Sequence, residues 1–108
     1  DAVCARQLKA ALDGLTPAEL AKVTIAYEPV WAIGTGKNAT PKDSAAAHRA
    51  IREVLAGLGF AGRATVLYGG SVNAANAAAL LAEEELDGVL VGGASLDAKG
   101  WAGIVEVG

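Results

Sequence analysis

The chain has 108 residues, enough for one small domain, and its 53% apolar and 19% charged content excludes a disordered chain. A net charge of -3 and a pI near 5.0, without any Lys/Arg run, argue against nucleic acid or an anionic membrane as partner. Cys4 is the single cysteine, which excludes an intrachain disulfide and a cysteine metal cluster. With no visible signal peptide and no bilayer-length apolar stretch, the expectation is a soluble, cytoplasmic chain.

Helix and strand alternate along the sequence. Residues 3–12 read as a helix, with Val3, Leu8, Ala11 and Leu12 near helical spacing and Gly14 as its stop. Thr16-Pro17-Ala18-Glu19 is a capping-box pattern that opens a short helical turn. Residues 23–27 form the first strand. Thr40 and Pro41 mark the start of a second long helix, whose apolar face is Ala47, Ile51, Val54, Leu55 and Leu58. Gly57 and Gly59 end it. Residues 64–68 are the second strand, 74–82 an alanine-rich helix, 88–91 the third strand and 98–107 the last helix. No linker or second domain is visible, so residues 1–108 read as one unit.

Such alternation builds parallel β-α units. Each helix is expected on the same, outer face of a curved sheet, leaving Ile25, Leu67 and Leu90 as candidates for an inner face with little to pack against. Three units cannot close a barrel, which needs about eight strands. The expectation is therefore a partial barrel whose remainder is supplied from elsewhere. A doubly wound sheet, covered on both faces, is the competing architecture.

The chemistry lies at the strand ends. The run from Ala26 through Lys37 places Glu28 at the tip of an apolar strand, then a Pro29-hinged, glycine-rich loop that carries Trp31 and Ile33. That arrangement suggests a general base under a lid; the alternative is a strand-capping glutamate followed by a surface turn. Gly69-Gly70-Ser71 follows the second strand and Gly92-Gly93 the third. Glycine turns leading into helix N-termini let backbone amides approach an anion, and two on adjacent strands would converge on one phosphate.

Three segments together resemble triosephosphate isomerase: Ala26-Tyr27-Glu28-Pro29-Val30-Trp31-Ala32-Ile33-Gly34-Thr35-Gly36, Tyr68-Gly69-Gly70-Ser71-Val72, and residues 87–96. The likeness runs in order over nearly the whole chain. It implies an α/β fold, a partial (β/α)8 TIM barrel comprising the last three β-α units preceded by part of the fifth helix. The activity implied for the intact protein is interconversion of dihydroxyacetone phosphate and glyceraldehyde 3-phosphate through an enediol(ate), without cofactor or metal.

Carried over residue by residue, the resemblance makes Glu28 the catalytic base. It gives Gly34, Ser71, Gly92 and Gly93 the substrate phosphate. Pro29, Val30, Trp31, Ala32, Ile33, Thr35, Gly36 and Lys37 become the lid, latched by Tyr68 and Ser71. Arg52 and Asp87 resemble a structural ion pair behind the site, the alternative being an unrelated helix arginine and turn aspartate. The implied partners are a phosphorylated triose, the missing N-terminal barrel units and, for the intact protein, a second copy in a homodimer.

The family also uses an asparagine, a lysine and a histidine from upstream units. None has a counterpart in this chain, so the chain alone is expected to be inactive. His48 lies mid-helix and is read as a surface or packing residue, and Cys4 as a packing residue. The competing functional class is a non-catalytic, phosphate-binding partial barrel that completes another chain.

Overall fold

Local capping chemistry sets the helix starts. The computed structural model describes residues 2–29, 40–59 and 64–108. Helix α1 (Ala2–Leu12) is followed by α2 (Pro17–Leu20), where Thr16 Oγ1 accepts from the Glu19 amide at 3.2 Å and Glu19 Oε1 accepts from the Thr16 amide at 3.0 Å. This reciprocal pair satisfies two amides that the helix itself leaves unpaired. Strand β1 (Thr24–Tyr27) leads to α3 (Pro41–Gly57), capped by Thr40 Oγ1 on the Asp43 amide at 3.1 Å. Strand β2 (Thr65–Tyr68), α4 (Ala77–Leu81), β3 (Gly88–Val89), a 3₁₀ turn (Gly93–Leu96) and α5 (Ala98–Val107) complete the described elements. Gly14 and Gly59, at φ of 81° and 92°, follow α1 and α3 in the left-handed conformation that glycine adopts without penalty.

Four elements are shorter than the sequence pattern suggests: β1 and β2 each start one residue later, at Thr24 and Thr65, and the fourth helix and third strand differ by more. The fourth helix starts at Ala77 rather than 74, because Asn73 Oδ1 accepts from the amides of Ala75 and Asn76 at 2.9 and 3.0 Å. Those bonds hold the intervening residues in a side-chain-capped turn instead of helix. The third strand ends at Val89 rather than 91, since its partner β2 ends at Tyr68; one further bond, Leu90 N–H to the Tyr68 carbonyl at 2.8 Å, finishes the ladder.

The three strands form a parallel sheet in the order β1-β2-β3, with Ile25 opposite Val66, Tyr27 opposite Tyr68 and Tyr68 opposite Val89. Side chains alternate across a sheet, so this register puts Ile25, Tyr27, Val66, Tyr68 and Val89 on one face. All five pack into the two apolar clusters that join sheet and helices. One cluster holds Leu8, Leu12 and Leu20 with Ile51, Leu55 and Val66; the other holds Tyr68, Val72 and Leu80 with Leu86 and Ile104. The opposite face carries Thr24, Ala26, Thr65, Leu67 and Gly88, none of which belongs to either cluster.

Of the residues expected on a face without helices, Leu67 lies on the side that joins neither cluster among the described residues, but Ile25 does not. Its register with Val66 turns it toward the helices, whereas Leu67 remains on the other side. Leu90, just past β3, is 55% exposed. Val3 and Ala11, expected on the packed face of the first helix, are both exposed, while Leu8 and Leu12 alone are buried there. Val3 and Ala11 instead line a groove of about 450 Å³ between α1 and the free edge of β1, together with Cys4, Gln7, Ile25 and Tyr27. Cys4 packs against the α1–α3 cluster, as a packing residue should.

The buried stripe of α3 also differs from expectation. Ser44, His48, Ile51 and Leu55 recur at helical spacing and are nearly or fully buried, whereas Ala47, Val54 and Leu58 flank them half-buried. His48 is thus a packing residue with no exposed surface. Its ring meets Tyr27 edge-on at 5.9 Å and lies tilted against Tyr68 at 6.4 Å, so it touches the last residues of both longer strands. No described side chain hydrogen-bonds either ring nitrogen.

Burial pushes the His48 pKa below the ordinary histidine value, and the Arg52 charge acts in the same direction; the Glu85 backbone and the carboxylates of Asp87 and Glu85 oppose them. The unfolded chain then takes up a proton near the ordinary value of about 6.5, while the folded chain resists it. Stability is complete above that pH and declines as pH falls toward the depressed folded value. Urea unfolding at fixed chain concentration should show a lower midpoint at about pH 5.5 than at about pH 7.5. His48→Gln should remove most of that difference; an equal loss in both proteins would assign the acid sensitivity to other groups.

Candidate functional site

The C-terminal ends of the three parallel strands lie along one edge of the sheet, and the chemistry-bearing residues follow them directly. The Gly69 amide donates to the Tyr27 carbonyl at 2.7 Å, which continues the β1–β2 ladder one step beyond the strands. Glu28, Gly69 and Leu90 consequently stand side by side. A Cβ placed on Gly69 would lie 3.9 Å from the Glu28 Cβ, 3.8 Å from Leu90 Cδ2 and 3.4 Å from the Tyr27 carbonyl oxygen. A side chain at Gly69 would pack against the base of the Glu28 side chain. Glu28 itself is exposed, whereas Pro29 behind it is buried. Edge position and exposure leave Glu28 accessible from outside the sheet.

Gly70 is glycine for a steric reason. A Cβ there would clash with Tyr68 Oη and Cζ, well inside contact distance. Tyr68 has no exposed surface and packs among Ala45, Val72, Ala77, Leu80 and Ile104, so the ring has nowhere to retreat. The turn therefore rests directly on the phenol. Ser71 follows, half-buried, with its carbonyl bound by Asn76 Nδ2 at 2.9 Å.

Gly92 and Gly93 follow the third strand and are exposed, and a Cβ on either would meet no other described residue within 4 Å. The Gly92 carbonyl accepts from the Ser95 amide at 2.9 Å and from Ser95 Oγ at 2.6 Å, which tightens the 3₁₀ turn. Asp97 then caps α5 through Oδ2 on the Gly100 amide at 2.8 Å.

Behind this edge the Arg52–Asp87 pair forms, with Arg52 Nη2 2.6 Å from Asp87 Oδ2. Its network is wider than a pair. Arg52 also donates to the carbonyls of Ala64 and Glu85, and Asp87 Oδ2 accepts from the Val66 amide at 2.8 Å. Arg52 Nε lies 3.3 Å from Glu85 Oε2, and Glu85 meets the exposed Arg49 at 3.4 Å.

The sheet edge thus gathers Glu28, Ser71, Gly92 and Gly93 at the ends of neighbouring strands, with Tyr68 buried beneath the second turn. The lid residues Val30, Trp31, Ala32, Ile33, Gly34, Thr35, Gly36 and Lys37 lie outside the described residues. Sequence reasoning missed Asn73 and Asn76. The N-x-x-N spacing directly after a glycine turn was the available signal, since asparagine side chains bind nearby backbone in turns. Among the described residues no group of three or more His, Cys, Asp or Glu side chains is placed to hold a metal, and no helix is long and apolar enough to cross a membrane.

The contact beneath the second turn is directly testable. Gly70→Ala forces its methyl into the Tyr68 phenol and should lower unfolding stability by about 1–3 kcal/mol, the usual cost of overpacking. An unchanged urea midpoint would show that the phenol yields freely.

The family model for triosephosphate isomerase matches residues 1–108. The triosephosphate isomerase of Thermus thermophilus is 51% identical over 105 residues, covering 94% of this chain and 42% of the relative. That of Symbiobacterium thermophilum is 53% identical over 107 residues, covering 96% and 42%, and that of Solibacter usitatus 52% identical over 109 residues, covering 98% and 44%. The chain spans less than half the length of these curated relatives. Matched from its first residue to its last and sharing about half its residues with each of them, the chain belongs to the triosephosphate isomerase family.

Proposed function

We propose that the intact protein carrying this chain is a triosephosphate isomerase, and that the chain contributes the last three β-α units of its eightfold barrel, preceded by part of the fifth helix. The observation that carries this reading is the exposed Glu28 at the tip of β1, with the glycine turn of the neighbouring strand beside it. Family membership supplies the substrate class. The one-sided sheet and its open β1 edge fit a chain completed by further units. On this reading the intact protein acts as a homodimer.

The reaction moves one proton between adjacent carbons. Glu28 removes a proton from the carbon next to the dihydroxyacetone phosphate carbonyl, and the C–H electron pair becomes the double bond of an enediol(ate) while the carbonyl oxygen gains the charge. Returning the proton to the neighbouring carbon, with proton exchange between the two oxygens, gives glyceraldehyde 3-phosphate. Ser71 and the amides of Gly34, Gly92 and Gly93 bind the phosphate and hold the reacting carbons within reach of Glu28. Residues 29–37 close over the site and exclude water, and Tyr68 and Ser71 latch them. Oxyanion stabilisation comes from upstream residues, so the chain alone turns over no substrate at an enzyme-like rate.

A full-length barrel tests the assignment. It is made by placing the residues that precede the matched portion of the Thermus thermophilus relative ahead of this chain. It should interconvert the two triose phosphates, whereas the 108-residue chain alone should not. Glu28→Asp withdraws the carboxylate by one methylene and should lower kcat by on the order of 10²-fold. Ser71→Ala removes one hydrogen bond to a charged group and should weaken a phosphate-bearing inhibitor by about 1.5–3 kcal/mol. An unchanged kcat in Glu28→Asp would remove Glu28 as the base. Phosphate binding without turnover in the complete barrel would favour the non-catalytic reading instead.

A further inference from the structure

The turn after β2 is held by a side chain that its own helix leaves unused. Asn76 occupies the N-cap position of α4, where an asparagine ordinarily binds the amides of its own helix, yet it makes no such bond. Its Nδ2 instead reaches back five residues to the Ser71 carbonyl at 2.9 Å, and its Oδ1 accepts from the Asn73 amide at 2.8 Å. The two partners fix the amide's orientation, because turning it over would set oxygen against the Ser71 carbonyl and nitrogen against an N–H. Asn73 locks the same loop from the other side through the amides of Ala75 and Asn76. Ser71 is thereby tied to a loop that is itself closed by side chain–backbone bonds.

We propose that Asn76 is a positioning residue for phosphate binding: by holding the Ser71 carbonyl, it fixes the peptide after Ser71 and so orients that residue toward the anion. The inference rests on the reading of Ser71 as a phosphate ligand. A carbonyl oxygen turned toward an anion would repel it, and a peptide free to rotate must be ordered at the moment of binding. Asn76 removes both penalties in advance. It need not touch substrate.

The full-length barrel described above, with inorganic phosphate as the probe, decides the matter. Binding is measured by titration calorimetry and KM and kcat with glyceraldehyde 3-phosphate. Asn76→Ala removes both bonds, whereas Asn76→Asp keeps an acceptor for the Asn73 amide and loses only the donor to Ser71. Both should weaken phosphate binding and raise KM by roughly tenfold, the equivalent of one lost hydrogen bond of ordinary strength, with kcat changed by less than about twofold. If Asn76→Ala fails to fold, Asn76→Ser, uncharged and too short to reach the Ser71 carbonyl, carries the comparison against Ser71→Ala, and a matching loss of phosphate affinity supports the assignment.

Variants that melt lower but bind phosphate like the parent would show a purely structural role and overturn the inference. So would a loss confined to Asn76→Asp when Asn76→Ala folds, since that marks repulsion by the new charge. A parent that binds phosphate without turnover defeats the isomerase reading alone, because the affinities still report on Asn76. A parent that binds no phosphate defeats the cradle and this inference together.

Discussion

The Arg52 guanidinium is the tie on which the arrangement depends. It projects from the middle of α3 and binds the Ala64 carbonyl just before β2, the Glu85 carbonyl in the α4–β3 connection, and the Asp87 carboxylate just before β3. Asp87 in turn accepts from the Val66 amide, and its own amide donates to the Val66 carbonyl at 3.1 Å. One planar cation thus sets the height of α3 against the starts of two strands. Its forked donors suit this role, since lysine offers a single charged point without the fixed geometry. Both partners are mostly buried, so removing either would leave a charge and several backbone groups without compensation.

Strand starts fixed in this way determine where the strands end. With four residues each in β1 and β2, the paired register carries the alignment from Thr24 and Thr65 directly to Tyr27 and Tyr68. Glu28 and Gly69 follow with no intervening residue to absorb error. The two tyrosines lean on His48 beneath, and Tyr68 supports Gly70 above it. Stability and site geometry are therefore set by the same few side chains, with the ion network at one end of the strands and the aromatic cluster at the other.

Much of this was legible in the sequence because the signals were local. Thr16, Thr40 and the glycines after α1 and α3 act within three or four residues, and the structure uses them as the pattern predicts. The order of alternating elements and the position of Glu28 at a strand tip were equally plain. The sequence pattern puts Ile25 on the wrong face because strands apolar on both sides give no alternation from which to read their parity; only the pairing with Val66 decides it. The burial of His48 was undetermined because a lone polar residue on an amphipathic helix takes its environment from what packs on it. The N-x-x-N spacing marks Asn76 as a turn or cap residue but not its partner, because its use on Ser71 is decided by the turn between them.

The strand order has a consequence for how such a chain assembles. Each strand pairs with the strand next in sequence, so every step of sheet growth joins neighbours along the chain. Closing a longer loop costs only slightly more than closing a short one, and here no closure has to wait for a distant segment. The sheet is additive. Another strand and helix joined ahead of β1 or after β3 would extend it without breaking any existing pairing, and the connectivity already present would serve a larger structure unchanged.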